Sequence, residues 1–108
     1  MSERNPSLLI QDILESIGKI EKYSENMAYG ELSKDEKTID AIIRNFAIIG
    51  EAANRIPKEE KAKYKAVEWR KIVGLRNRVI HNYFGIDLEI IWFIIKNYLP
   101  TFKDQLSN

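Results

Sequence analysis

Apolar residues recur every three or four positions along most of this chain, the period of helices that bury one side. Leu9, Ile13, Ile17 and Ile20 form the first stripe, with Ile10 and Leu14 beside them. Asn5-Pro6 stands ahead of it, a capping residue followed by a proline suited to the first helical position. The pattern predicts a helix running to about Ala28 and ending before Gly30. A second stripe is longer: Ile39, Ile42, Phe46, Ile49, Ala53 and Ile56. Ser33 and Glu36 before it have the spacing of a capping box, in which hydroxyl and carboxylate each bond the other residue's amide. Pro57 supplies the stop, since it has no amide to donate and restrains the residue before it. Gly50 in the middle of this helix costs up to about 1 kcal/mol relative to alanine, which points to a close helix-helix crossing. Arg44 and Glu51 flank the stripe, where they either bound the core or line a cleft.

Lys58 to Lys65 is strongly charged and reads as a short helix or turn. Trp69, Ile72, Val73, Ile80 and Tyr83 then mark one face of a further helix, and Gly85 ends it. Asp87 caps the next, with Ile86 and Ile91 spaced as a hydrophobic staple. From Leu88 to Tyr98 the pattern is apolar on almost every side. That predicts burial all round, so this helix is either the centre of the fold or meets a second chain. Pro100 is expected to break or kink the helix around it. No strand alternation, internal repeat or low-complexity tract interrupts the pattern. The expected fold is all-α, an up-and-down bundle of four to five helices in a single domain over residues 1–108.

Composition narrows the chemistry. There are no cysteines among the 108 residues, which excludes disulfides and thiolate metal sites. With no basic-then-apolar leader, a reducing cytoplasm is the expected setting. The longest unbroken apolar run, Ile90 to Ile95, is far short of the roughly 20 residues that span a bilayer. The net charge of +1 conceals an asymmetry: residues 1–57 carry −3, residues 58–81 carry +5 and residues 82–108 carry −1. The positive segment suits an anionic polymer.

It also contains the densest chemistry, Arg76-Asn77-Arg78-Val79-Ile80-His81-Asn82-Tyr83. His81 is the only histidine, hence the one side chain with an ordinary pKa near neutrality. Arginine presents a fork of donors to phosphate, and imidazole moves protons. Metal catalysis fits poorly with one histidine, no cysteine and no acidic cluster of hard-cation spacing. The serines sit at caps or termini, and no glycine-rich phosphate loop is present. Acid-base cleavage of a phosphate ester remains, and RNA brings its own nucleophile in the 2′-hydroxyl. On a helix, Arg76 falls at the centre of the apolar face, where a buried charge costs several kcal/mol unless paired. Glu51 is a candidate partner. Asn77 and His81 share a different edge, so Asn77 can orient the imidazole. Arg76 and His81 are about 140° apart around the axis and about 7.5 Å apart along it. They converge only if the helix ends near Asn82 or a second copy supplies the missing group. A symmetric dimer also provides the second imidazole that acid-base catalysis wants.

The Arg76-x4-His81-x-Tyr83 array resembles the motif of the HEPN superfamily in its HepT-like toxin form. The context agrees: Ile48-Ile49-Gly50-Glu51-Ala52 in the second long helix, Trp69 leading into Gly74-Leu75-Arg76-Asn77, and Tyr83-Phe84-Gly85-Ile86-Asp87 after it. The resemblance implies a dimeric all-α ribonuclease with Arg76 and His81 lining a cleft between subunits, working without a cofactor. It further implies the toxin half of a type VII-like toxin-antitoxin pair. The antitoxin there is a small MntA-like nucleotidyltransferase, which silences the toxin by transferring AMP from ATP to the tyrosine that corresponds to Tyr83. From the residues alone Tyr83 is a core aromatic; the resemblance makes it the modified one. Two other functions compete: a non-catalytic helical partner that binds the nucleotidyltransferase or a nucleotide, and a structural oligomerisation domain.

Overall fold

The computed structural model describes residues 4–81 and 87–107, apart from the side chains of Arg76 and of residues 78–81. Every element among them is helical, as the periodicity predicts: α1 (Pro6–Ser24), α2 (Tyr29–Leu32), α3 (Glu36–Arg55), α4 (Lys58–Lys61), α5 (Trp69–His81), α6 (Leu88–Phe93), a π-helical turn (Ile94–Tyr98) and α7 (Leu99–Ser107).

Asn5 caps α1, its side-chain oxygen accepting from the Ser7 amide at 2.9 Å. The helix ends at Ser24 rather than near Ala28, because the chain turns through Asn26 at φ 61°. Asparagine is among the few residues that visit this left-handed region readily. The next residues form the single turn α2, which drives Leu32 fully into the core. The start of α3 also differs from the expected capping box. The Ser33 hydroxyl donates back to the Gly30 carbonyl at 2.9 Å and so closes α2. Asp35 caps α3 instead, accepting from the Thr38 amide at 3.0 Å and the Thr38 hydroxyl at 2.7 Å. The hydroxyl contact first, and the amide second, hold the Asp35 carboxyl below its usual range. Its folded-state value being depressed, the cap is fully effective above the unfolded-state pKa and is lost as the pH falls through the folded one.

Helix α3 is the centre of the molecule, packed between α1 and α5. Ile39, Ile42, Phe46, Ile49, Ala53 and the capping Ile56 are all buried, as is Gly50. Ile13, Ile17 and Ile20 of α1 meet them, together with Ile72 of α5 and Leu99 and Phe102 of α7. The central helix is thus α3, not the strongly apolar one near the C-terminus. That segment buries Ile91, Ile94 and Ile95, while Ile90 and Trp92 are half-buried and Phe93 is 63% exposed. Its burial is therefore one-sided.

Pro100 does not break the helix. α6, the π turn and α7 run on without interruption, and the Leu99 amide reaches back five residues to the Ile94 carbonyl. A proline cannot donate to the carbonyl four residues behind it, and its ring crowds that oxygen. Widening the preceding turn to five-residue bonds accommodates it. The expected stop at Gly85 and staple from Ile86 lie outside the described residues.

Candidate active site

Trp69 fixes the start of α5. Its indole N–H donates to the Lys61 carbonyl at 3.2 Å, and its ring meets Tyr64 and Phe102 edge-on at 6.1 and 6.4 Å. Tyrosine and tryptophan in such sites combine apolar area with one satisfied polar atom. Ile72 and Leu75 then bury the inward side of α5 against the core. Arg70 and Asn77 are exposed and Gly74 half-buried along another edge.

Arg76, Asn77 and His81 all lie on α5, and among them the exposure of Asn77 alone is described. The described part of α5 runs to His81; the expected helix end near Asn82 lies outside the described residues. The Arg76 and His81 backbone positions remain about 140° apart on a regular helix. Tyr83 lies outside the described residues, as do the side chains of Arg76 and His81.

Glu51 is half-buried on α3 and does line a cleft, as does Arg44. This cleft, about 460 Å³, runs between α1 and α3 and is edged by Arg4, Asp12, Arg44, Glu51 and Arg55 over an apolar floor that includes Ile48. Arg4 is held by Asp12 in a two-pronged ion pair, 2.7 and 3.0 Å, which raises the arginine's pKa further, through the hydrogen bond first and the charge second. Both partners reach solvent, so the pair adds little to stability. A second cleft of about 470 Å³ continues past Arg44 and Ile48 to Lys19, Tyr23, Asp40 and Asn45. Sequence reasoning singled out Arg44 and Glu51 here but not Arg55. The signal for it was available: Arg44, Glu51 and Arg55 are seven and four apart, so they share a face.

On the far side of α5 a third cleft, about 500 Å³ and mostly apolar, is bounded by Lys71, Gly74, Leu75, Phe93, Ile94 and Tyr98. Burial, then the nearby Glu68 carboxylate, raises the Tyr98 phenol above its ordinary value. The phenol therefore stays neutral. Among the described residues no group of three or more His, Cys, Asp or Glu is placed to hold a metal ion, and no helix is long and apolar enough to cross a membrane.

A helical bundle that carries an arginine and a histidine five apart on one helix suggests a class, and comparison with known proteins agrees. The model of the HepT-like family, described as Ribonuclease HepT-like, matches residues 13–108. The chain belongs to this HepT-like ribonuclease family. It is 37% identical over 107 residues to "Putative RNase MJ1380" of Methanocaldococcus jannaschii, covering 99% of this chain and 98% of that one. "Putative RNase MJ0127" of the same organism is 39% identical over 101 residues, covering 94% and 84%. "Probable ribonuclease HepT" of Thermococcus cleftensis is 35% identical over 98 residues, covering 91% and 89%. No solved structure matches the chain.

Proposed function

We propose that residues 1–108 form one HEPN-like domain acting in the cytoplasm as a metal-independent endoribonuclease, the toxin of a toxin-antitoxin pair, with Arg76 and His81 as its catalytic groups. The observation that supports this reading is the family match over residues 13–108, with Arg76, Asn77 and His81 carried on the single helix α5. Two such half-sites in a homodimer supply two imidazoles and two guanidinium groups. One His81 takes the proton from the RNA 2′-hydroxyl, whose oxygen attacks the adjacent phosphorus. The other His81 protonates the departing 5′-oxygen. Arg76 donates to the phosphoryl oxygens as negative charge accumulates in the transition state. Asn77 holds the imidazole, and Glu51 pairs with Arg76 when no phosphate is bound.

This route leaves a 2′,3′-cyclic phosphate and a 5′-hydroxyl. Incubating the purified protein with RNA and mapping both ends tests it: these termini, formed equally with and without EDTA, are expected. A 3′-hydroxyl product, or loss of cleavage on chelation, contradicts the mechanism.

Regulation follows from the tyrosine. An MntA-like nucleotidyltransferase transfers AMP from ATP to the Tyr83 oxygen, releasing pyrophosphate, and the added phosphate competes with RNA for Arg76. Mass spectrometry after incubation with the neighbouring-gene nucleotidyltransferase and ATP should show AMP-sized additions on the parent and none on Tyr83→Phe. Equal labelling of both proteins counts against the assignment.

A further inference from the structure

The third cleft takes no part in the chemistry above, yet it opens beside α5, the helix that carries Arg76 and His81. Phe93 on its wall is 63% exposed, the most exposed large apolar side chain among the described residues. The core does not need that ring. Gly74, on the α5 side, leaves the space free: a β-carbon added there meets nothing within 4 Å. A glycine inside a helix is disfavoured relative to alanine, and no close crossing requires this one. Its effect is to keep the cleft open.

The polar groups here are few. Lys71 is the one charged residue among the described residues that line the cleft. Glu68 meets its ammonium at 2.8 Å, with both side chains more than half exposed, and an ammonium has three donors to share. The Tyr98 phenol also lines the cleft and lies near enough to Glu68 and Lys71 to feel both charges. A neutral phenol can donate as well as accept.

We infer that this cleft holds one unpaired base of a single-stranded RNA, the base stacked on Phe93 and a neighbouring phosphate paired with Lys71. A base has apolar faces and a polar edge, which suits an apolar slot with a phenol and an ammonium among its walls. At about 500 Å³ the space falls within the range of small-ligand sites. A purely apolar occupant would leave the lysine and the phenol without a role. Residues 58–81, which include Lys71, carry +5 and draw an anionic polymer. Along α5 the backbone of Gly74 precedes that of Arg76 by about 3 Å and that of His81 by about 10 Å, at 1.5 Å per residue. The same strand can therefore reach both motif positions. The inference rests on the ribonuclease reading and adds to it where the substrate is gripped. Stacking tolerates any base, because every base has a π face, so the slot selects unpaired RNA rather than one sequence.

A 2′-O-methyl oligoribonucleotide of mixed sequence, which lacks the nucleophile and so is not cut, serves as the probe, either single-stranded or annealed to its complement. By fluorescence anisotropy with the full chain, Phe93→Leu should bind the single strand about tenfold more weakly than the parent, because leucine stays apolar but lacks a stacking face. Phe93→Trp should bind at least as tightly as the parent. Gly74→Leu fills the cleft with a better helix former and should weaken binding as Phe93→Leu does. The duplex probe should not distinguish these proteins. On cleavable RNA, Phe93→Leu should raise KM more than it lowers kcat, with helical content by circular dichroism equal to the parent's. Single-strand binding unchanged in Phe93→Leu, or a loss that Phe93→Trp shares, overturns the slot and leaves the ribonuclease reading standing. So does a Phe93→Leu chain that keeps its RNA affinity and instead associates less with itself in sedimentation equilibrium, since the ring then serves a protein contact. A parent chain that neither binds nor cuts any RNA overturns the slot together with the reading beneath it.

Discussion

Replacing His81 with alanine should reduce RNA cleavage by about 10²–10⁴-fold, the usual contribution of a positioned proton carrier. Arg76→Ala should cost about 10²–10³-fold, the loss expected when one donor to a developing anion is removed. Growth inhibition on expression should disappear in both. The fold should survive the histidine change, because α5 is anchored by Trp69, Ile72 and Leu75, well before its last residue. Circular dichroism and the melting temperature therefore serve as controls. A merely structural histidine at a helix end would alter stability and leave the rate per folded molecule alone. Were both variants to cleave RNA as fast as the parent, the catalytic assignment would fail, whatever the fold family.

The second large effect concerns the core. Phe46 is fully buried at the middle of α3, where α1, α5 and α7 converge on the same cluster. Phe46→Ala removes most of a ring's transfer energy and leaves a cavity that the surrounding isoleucines only partly fill. The cost should be about 3–5 kcal/mol, and for a chain of this size the melting temperature should fall by on the order of 15–25 °C. Phe93→Ala is the matched control. With 63% of its surface already in solvent, that change should alter stability by no more than about 0.5 kcal/mol. Equal losses from the two variants, read by thermal unfolding, would contradict the placement of the core on α3.

The helices that bury one stripe were legible because their apolar positions repeat at a single period, as in Leu9 to Ile20 and Ile39 to Ile56. Their ends were less so, since local chemistry offers several solutions. The run Ser33-Lys34-Asp35-Glu36 holds two plausible caps, and the preceding turn α2 decides between them by using the Ser33 hydroxyl for its own closure. Pro100 reads as a breaker only if the helix around it keeps four-residue bonds; the π turn does not. The apolar segment Leu88–Tyr98 shows the other difficulty. Composition alone does not say which side of a uniformly apolar helix is buried, and Phe93 ended outside.

For the site, sequence spacing put Arg76 and His81 on one helix, and both positions fall within α5, while their side chains lie outside the described residues. The cleft at Glu51 was harder. Its walls come from α1 as well as α3, and no local pattern says which helices will be neighbours.

One contact of modest strength says something about how this protein comes into being. Lys103 of α7 bridges Glu21 of α1 at 3.0 Å, across 82 positions of sequence. α7, synthesised after every other helix described, thus docks against α1, and its Leu99 and Phe102 join the core. Contacts of such long range form late, after the loops between have been closed. A nascent chain can pair α1 with α3, but Trp69, the anchor of the motif helix, finds its Phe102 neighbour only after α7 has been made. The helix that carries Arg76 and His81 is therefore without its full support until then, and a product stalled before α7 lacks it altogether. The order of synthesis itself delays the assembly of the site.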